Sequence, residues 1–294
     1  MEHKRIVTAL FTMILLIPAG FSQDLDALVS RYTEKNGPGY MQPLADATGS
    51  VFNSGFFHGA NMKKLGFQAY LGIITSAAFI PEKNKTFEAV TEGFFTPEQT
   101  AEAPTVFGPA KAVSVDGDGG TVYVFSGGLN VNMVPFAIPQ LTLGSVYGTD
   151  VTFRFFSYSF EKDIGDLTQF SWGIRHSISQ YVPDLPLDIA AAFYNSYFKV
   201  GTYIDCSSWM ISAQASKRIL IFTFYGGIGY ESSKLNIDYH DEDTSIAYDL
   251  KGNNSVRLTA GITFNLGPVK LNADYNLASQ SSFSAGLGIG IGDE

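Results

Sequence analysis

The chain has 294 residues, 45% of them hydrophobic, 14% aromatic and only 16% charged, with a formal net charge of −9. That composition excludes a disordered chain and a coiled coil, and the acidic balance excludes a nucleic-acid-binding role because it repels phosphate backbones. A single cysteine, Cys206, allows neither an internal disulfide nor a paired-cysteine metal site.

Residues 1–22 read as a secretory signal peptide. His3, Lys4 and Arg5 precede an apolar run over 6–17, Pro18 and Gly20 break it, and Gly20 and Ser22 supply small side chains before a cut near Gln23. The run is shorter than the roughly 20 residues that span a bilayer as a helix. No later stretch is long and apolar enough to do so, which leaves a secreted soluble protein or an outer-membrane barrel.

Residues 23–65 carry a different pattern. Leu25, Leu28, Val29 and Tyr32 lie on one helical stripe over 24–34, which Gly37-Pro38-Gly39 is expected to end. A second short helix is predicted over 41–51, followed by Asn53-Ser-Gly-Phe-Phe-His-Gly59. This segment is expected to plug a barrel or to form a periplasmic appendage, with Leu28, Tyr32, Phe52, Phe56 and Phe57 as plug candidates.

From residue 66 to 294 the dominant period is two. Val256, Leu258, Ala260, Ile262, Phe264 and Leu266 alternate with Arg257, Thr259, Gly261, Thr263 and Asn265, and the pattern repeats over 269–277 and 282–291. Successive strand side chains point to opposite faces, so each segment has one apolar and one polar face. Further strands are predicted at 66–79, 121–133, 139–146, 151–155, 170–177, 187–198, 208–216 and 220–230, with a twelfth near 105–115. The apolar faces are almost free of charge, as lipid requires, since a charge at the midplane costs about 2–4 kcal/mol. Segments of about ten residues also fit a tilted bilayer crossing. The fold class expected is therefore all-β, an antiparallel transmembrane β-barrel of about twelve strands within a range of 10–14. Loops 81–103 and 232–254 are expected on the outside.

The segments Gly49-Ser-Val-Phe-Asn-Ser-Gly-Phe-Phe57, Ala103-Pro-Thr-Val-Phe-Gly108, Gly148-Thr-Asp-Val-Thr-Phe-Arg154 and Gly173-Ile-Arg-His-Ser-Ile-Ser-Gln-Tyr-Val-Pro183 carry a resemblance. The mature chain resembles a family of uncharacterised outer-membrane barrels of Bacteroidetes-type bacteria. The N-terminal segment leading into a barrel is more distantly similar to outer-membrane fatty-acid transporters, a likeness that implies a plug inside the barrel.

Chemistry is sparse. His176 shares the apolar face of Phe170, Trp172 and Ile174 near a strand end, and no nucleophile is placed beside it by sequence. His240 within Asp238-Tyr-His-Asp-Glu-Asp243 and the Asp116-Gly-Asp-Gly-Gly120 run read as a loop and a turn rather than metal sites. Gly286, Gly288, Gly290 and Gly292 fall at period two inside a strand and read as a smooth lumen wall, not as a phosphate-cradling loop. No catalytic residue, metal or cofactor is expected. The polar face supplies the lumen candidates Arg154, Arg175, Arg218, Arg257, Lys270 and Asp274, with Glu231. Burying any of them unpaired is costly, so they are expected in a wet lumen or paired with one another and with plug acids such as Asp46. The role predicted is passive uptake of a small hydrophobic compound in the bacterial outer membrane, with outer-membrane lipids as partners. The alternative is a structural or assembly-partner barrel with a blocked lumen.

Overall fold

The computed structural model describes residues 35–159, 166–182, 184–241 and 244–292, with the side chains of 239–246 outside the description. The predicted signal peptide, the predicted helix at 24–34, Leu28 and Tyr32 lie outside the described residues.

Period-two alternation builds long antiparallel strands. β1 (Leu65–Phe79) is followed by two small hairpins, β2 (Thr86–Val90) with β3 (Thr100–Pro104), and β4 (Val113–Asp116) with β5 (Val122–Phe125). Then come β6 (Met133–Val146), β7 (Thr149–Ser159), β8 (Asp166–Ser177), β9 (Asp188–Val200) and β10 (Ile204–Ile219). β11 (Phe222–Asp241), β12 (Thr244–Lys251), β13 (Val256–Leu266), β14 (Val269–Leu277) and β15 (Ser282–Ile291) complete the chain. The ring runs β1-β6-β7-β8-β9-β10-β11-β13-β14-β15 and returns to β1. It closes on ten strands, which leaves no exposed edge in the lipid zone. β12 lies outside the ring and pairs with the far end of β11, beyond the part of β11 that pairs with β13.

Ten strands correct the expected twelve, though ten lies within the stated range. The error sits at 105–115 and 121–133, where β4 and β5 pair only with each other around Asp116-Gly-Asp-Gly-Gly120. A hairpin laid on a cap alternates just as a lipid-facing strand does, so periodicity alone does not separate them.

Outward positions carry Leu71, Phe153, Phe155, Trp172, Ile211, Ile228, Leu258, Leu271, Leu287 and Ile289, all exposed. On β10 the outward charges Asp205 and Lys217 bound an uncharged stretch of Ser207, Trp209, Ile211, Ala213 and Ala215. Twelve residues at about 3.3 Å each, tilted by about 40°, cover roughly 30 Å along the membrane normal. That matches the hydrocarbon thickness. The Lys199–Asp205 pair, 2.9 Å apart, marks the rim of this belt.

The two ends of the barrel differ. One end has short connections, including the Tyr147-Gly148 turn with φ values of 50° and 65°, a primed hairpin turn that suits the strand twist. The other end carries the β2–β5 excursion and the β11–β12 extension. Residues 81–103 and 232–254 lie together at this long-loop end, packed through one apolar core.

The helix α1 (Gly37–Phe52) sits at the long-loop end. Pro38 in its first turn has a φ already helical and gives up a donor that would be unpaired there. Gly37-Pro38-Gly39 therefore opens this helix; the earlier helix that it was expected to end lies outside the described residues. Buried residues occur on all sides of α1, as for a helix enclosed by protein. Tyr40, Met41, Ala47, Val51 and Phe52 form a core with Phe107 and Phe125 of the excursion and Leu235, Ile237, Tyr248 and Leu250 of the β11–β12 extension. Asn36 ties the helix entry to the β2 hairpin, donating to Val90 O at 2.7 Å and accepting from Val90 N at 2.9 Å.

Among the described residues no helix is long and apolar enough to cross a membrane. Ile211 lies midway along its belt, so Ile211→Arg is expected to destabilise the vesicle-reconstituted protein by about 2–4 kcal/mol, against about 0–1 kcal/mol for Ile219→Arg near the interface, read from urea unfolding.

Candidate functional site: the plugged lumen

Residues 53–64 leave α1 and run through the lumen to the short-turn end, where β1 begins. This segment belongs to none of the sheets, so its backbone polar groups need other partners in a space shielded from bulk water. The wall supplies them. Ser196 Oγ donates to Phe52 O at 3.2 Å, Arg154 Nη1 to Ser54 O at 2.9 Å, Gln140 Nε2 to Phe56 O at 3.3 Å, and Thr263 Oγ1 to His58 O at 2.7 Å. Arg175 Nη1 donates to Gly59 O at 2.6 Å, and Ser216 Oγ accepts from Ala60 N at 2.8 Å. At the exit, Ser145 donates to Lys63 O and Gly148 N to Lys64 O.

The side chains of the segment fill what the backbone leaves. Phe56 stacks on Tyr194 with centroids 4.3 Å apart, and the Arg154 guanidinium lies 3.8 Å from the Phe56 ring centre. Phe57 meets Tyr225 edge-on, and His58 lies on Tyr70 at 4.3 Å. Gly55 is needed for two reasons: its φ is +69°, and a methyl there would lie 2.6 Å from Ile74 Cγ2. Higher up, a methyl on Gly49 would fall 2.6 Å from Ser233 Cβ, so α1 fits its seat only with a bare backbone at that point. The plug candidates Phe52, Phe56 and Phe57 are all buried in this arrangement.

The charged lumen candidates divide into three kinds. Arg257 and Glu231, each 1% exposed, form a two-point pair with Nε–Oε2 at 3.0 Å and Nη2–Oε1 at 3.1 Å. The remaining capacity of Arg257 goes to the helix end, at Ser50 O (2.9 Å) and Ser54 Oγ (2.6 Å). Arg175 pairs in the same way with Asp150, which stands directly opposite on β7. Arg154 has no carboxylate partner among the described residues; Gln140 Oε1, Ser54 O and the Phe56 ring surround it. Asp274 is buried and takes hydrogen bonds from Tyr225 OH and Asn276 Nδ2. Lys270 is buried and Arg218 exposed, both at the short-turn end.

Pairing with Asp46 is not found. That carboxylate accepts from Asn253 N and Nδ2 and from Gln42, and so fastens α1 to the segment after β12. The plug contributes carbonyl and hydroxyl oxygens to the arginines, not carboxylates. Sequence reasoning missed Asp150, Gln140 and Ser54. Asp150 shares the parity of Thr152 and Arg154, so its inward direction was readable, but its register opposite Arg175 was not. His176 lies on the outer face as expected, bonded to Thr149 Oγ1 at 2.8 Å and Tyr181 OH at 2.9 Å. The side chain of His240 lies outside the description. No cluster of metal-ligating side chains occurs among the described residues.

Residues 1–291 match a family described as a family of unknown function, DUF6588. The chain belongs to that family. The comparison with curated proteins gave no match. Among solved structures, this DUF6588 member is similar to the outer membrane protease OmpT from Escherichia coli at 8% identity and a TM-score of 0.36, over 78% of this chain and 97% of that one. It is also similar to the translocator domain of the autotransporter NalP from Neisseria meningitidis at 10% identity and a TM-score of 0.29, over 79% and 90%. The Ralstonia pickettii toluene transporter TbuX matches at 9% identity and a TM-score of 0.19, over 89% and 98%.

The buried Arg257–Glu231 pair gives a direct test. Arg257→Met strands the Glu231 carboxylate and is expected to cost about 3–5 kcal/mol of unfolding free energy. Adding Glu231→Leu should restore part of that loss, measured as urea midpoints in vesicles.

Proposed function

We propose that this protein is a closed barrel of the bacterial outer membrane, whose own N-terminal segment holds the lumen shut, and that it serves as a membrane-embedded structural or assembly-partner protein rather than an open pore. One observation carries this reading: residues 53–64 occupy the lumen, with the carbonyls of Ser54, Phe56, His58 and Gly59 bonded to side chains from around the wall. The core above α1 supports it further, because the long-loop end is roofed by apolar packing rather than left as a mouth. The surface such a protein offers outside the membrane is that roof, built from β2–β5 and the β11–β12 extension.

Uptake of a small hydrophobic compound is the competing role. It requires the segment to leave its bonds with the wall. The wall is lined mainly by Gln140, Thr142, Thr152, Ser171, Ser196, Gln214 and the arginines, and its inward Tyr194 and Met210 are already packed with Phe56, so an apolar solute finds little matching surface.

Planar-bilayer recording separates the two. The intact protein is expected to insert without steady current, and deletion of residues 37–62 is expected to give stepwise conductance. Steady current from the intact protein would overturn the closed-barrel reading.

A further inference from the structure

The chain that fills the lumen enters and leaves it at opposite ends of the barrel. At the lower end, Lys63 O and Lys64 O are held by Ser145 and by Gly148 N, beside the Tyr147-Gly148 turn. β1 starts there, with Leu65 opposite Val146, and β15 finishes there, with Ile291 opposite Ala69. At the upper end, Asn36 is bonded to Val90 and, through Nδ2, to Glu92 Oε1 at 2.7 Å. Val106 N donates to Tyr40 O at 3.0 Å, and Ser50 Oγ to Gln280 O at 2.8 Å, so both halves of α1 lie among the long loops.

Strand parity fixes what this means for the rest of the chain. Ten crossings form the ring, an even number, so β1 begins and β15 ends on one side. Among the described residues the lumen passage is one crossing more, and it puts Lys35 on the other side. Length allows it. The 16 residues of α1 supply about 24 Å at 1.5 Å each. Residues 53–64, when extended, reach up to about 40 Å, against about 30 Å of hydrocarbon.

The upper exit opens to solvent. Lys35 is exposed, and its ammonium lies 3.7 Å from Glu98, itself exposed in the connection between β2 and β3. Asn36, the next residue, is already buried.

We propose that the filled lumen is a conduit for the protein's own backbone, and that it displays the chain preceding Lys35 on the outer surface of the cell. The proposal rests on the outer-membrane reading above, in which the long-loop end faces outward. The bonds that shut the lumen then have a second use. Arg154, Arg175 and Arg257 grip the backbone below the helix, so a pull on the displayed chain is resisted inside the barrel.

The test is labelling with a membrane-impermeant maleimide on cells that express the full chain. Cys206 is the only cysteine and is buried, so the unaltered protein sets the background. Lys35→Cys and Lys64→Cys flank the passage at exposed positions, and Glu98→Cys marks the long-loop end. Faster gel migration before heating than after checks that each variant has kept its barrel. On intact cells Lys35→Cys is expected to take up as much label as Glu98→Cys. Lys64→Cys is expected to react only once the outer membrane is permeabilised. Label on Glu98→Cys without label on Lys35→Cys would overturn the display and leave the outer-membrane barrel standing. Equal label on Lys35→Cys and Lys64→Cys in intact cells would overturn it too. No label on Glu98→Cys in intact cells would remove the outward placement of the long loops, and the display with it.

Discussion

A polypeptide that crosses the inside of a barrel without joining its sheet has a row of carbonyls and no ladder to receive them. Everything else in this structure answers that constraint. The wall meets it with long donors, Arg154, Arg175, Arg257 and Gln140, and with hydroxyls where the gap is narrower, Ser196 and Thr263. The demand runs both ways. A guanidinium in a filled lumen is costly unless each N–H finds an acceptor. Glu231 and Asp150 satisfy one edge of their arginines, and plug oxygens satisfy another. Plug and wall are thus each incomplete without the other, which ties closure of the ring to the seating of the segment.

Barrel size follows from the same fit. One extended chain with three aromatic side chains fills a ten-strand lumen only if the wall is uneven, narrow in some places and recessed in others. Large inward groups such as Tyr194 and Tyr225 reach across strands where Gly173 and Gly261 stand opposite; added methyls there would lie 2.3 Å and 2.4 Å from those rings. Gly55 on the plug yields to Ile74 in the same manner. Two more strands would widen the tube beyond what these contacts span.

Much of this was written in the parity of the sequence. Arg154, Arg175, Arg257, Lys270 and Asp274 point inward because they share a face with serines and threonines, and the alternation of 256–266 or 282–291 needs no structure to be seen. Parity stops short of register. It places Asp150 and Arg175 on the inner face but cannot say that they stand opposite, and it likewise cannot join Glu231 to Arg257. Nor does it tell a ring strand from the β4–β5 hairpin, whose tip exposes Val122 and Val124 in the same alternation. Around α1 the difficulty is of another kind. Gly-Pro-Gly suits the end of one helix as well as the start of the next, and the core that seats the helix it opens comes from Phe107, Phe125 and Leu250, far away in sequence.

The segment is held unequally along its length, and this decides how it could move. Its lower end continues without a break into β1 and cannot leave the wall. Its upper end is α1, seated in apolar packing with Asp46 and Asn36 anchoring either half of the helix. Any displacement must therefore begin by lifting the helix, before a single lumen bond is free to exchange. Beyond that step, the bonds from Arg154, Arg175 and Arg257 to plug carbonyls are charge-assisted, at about 1.5–3 kcal/mol each. Three of them alone set the displaced state about three or more powers of ten below the seated one, at about 1.4 kcal/mol per factor of ten. A ligand able to open the lumen would have to prefer the open form by at least that margin, and a weakly held apolar solute has no such preference to offer.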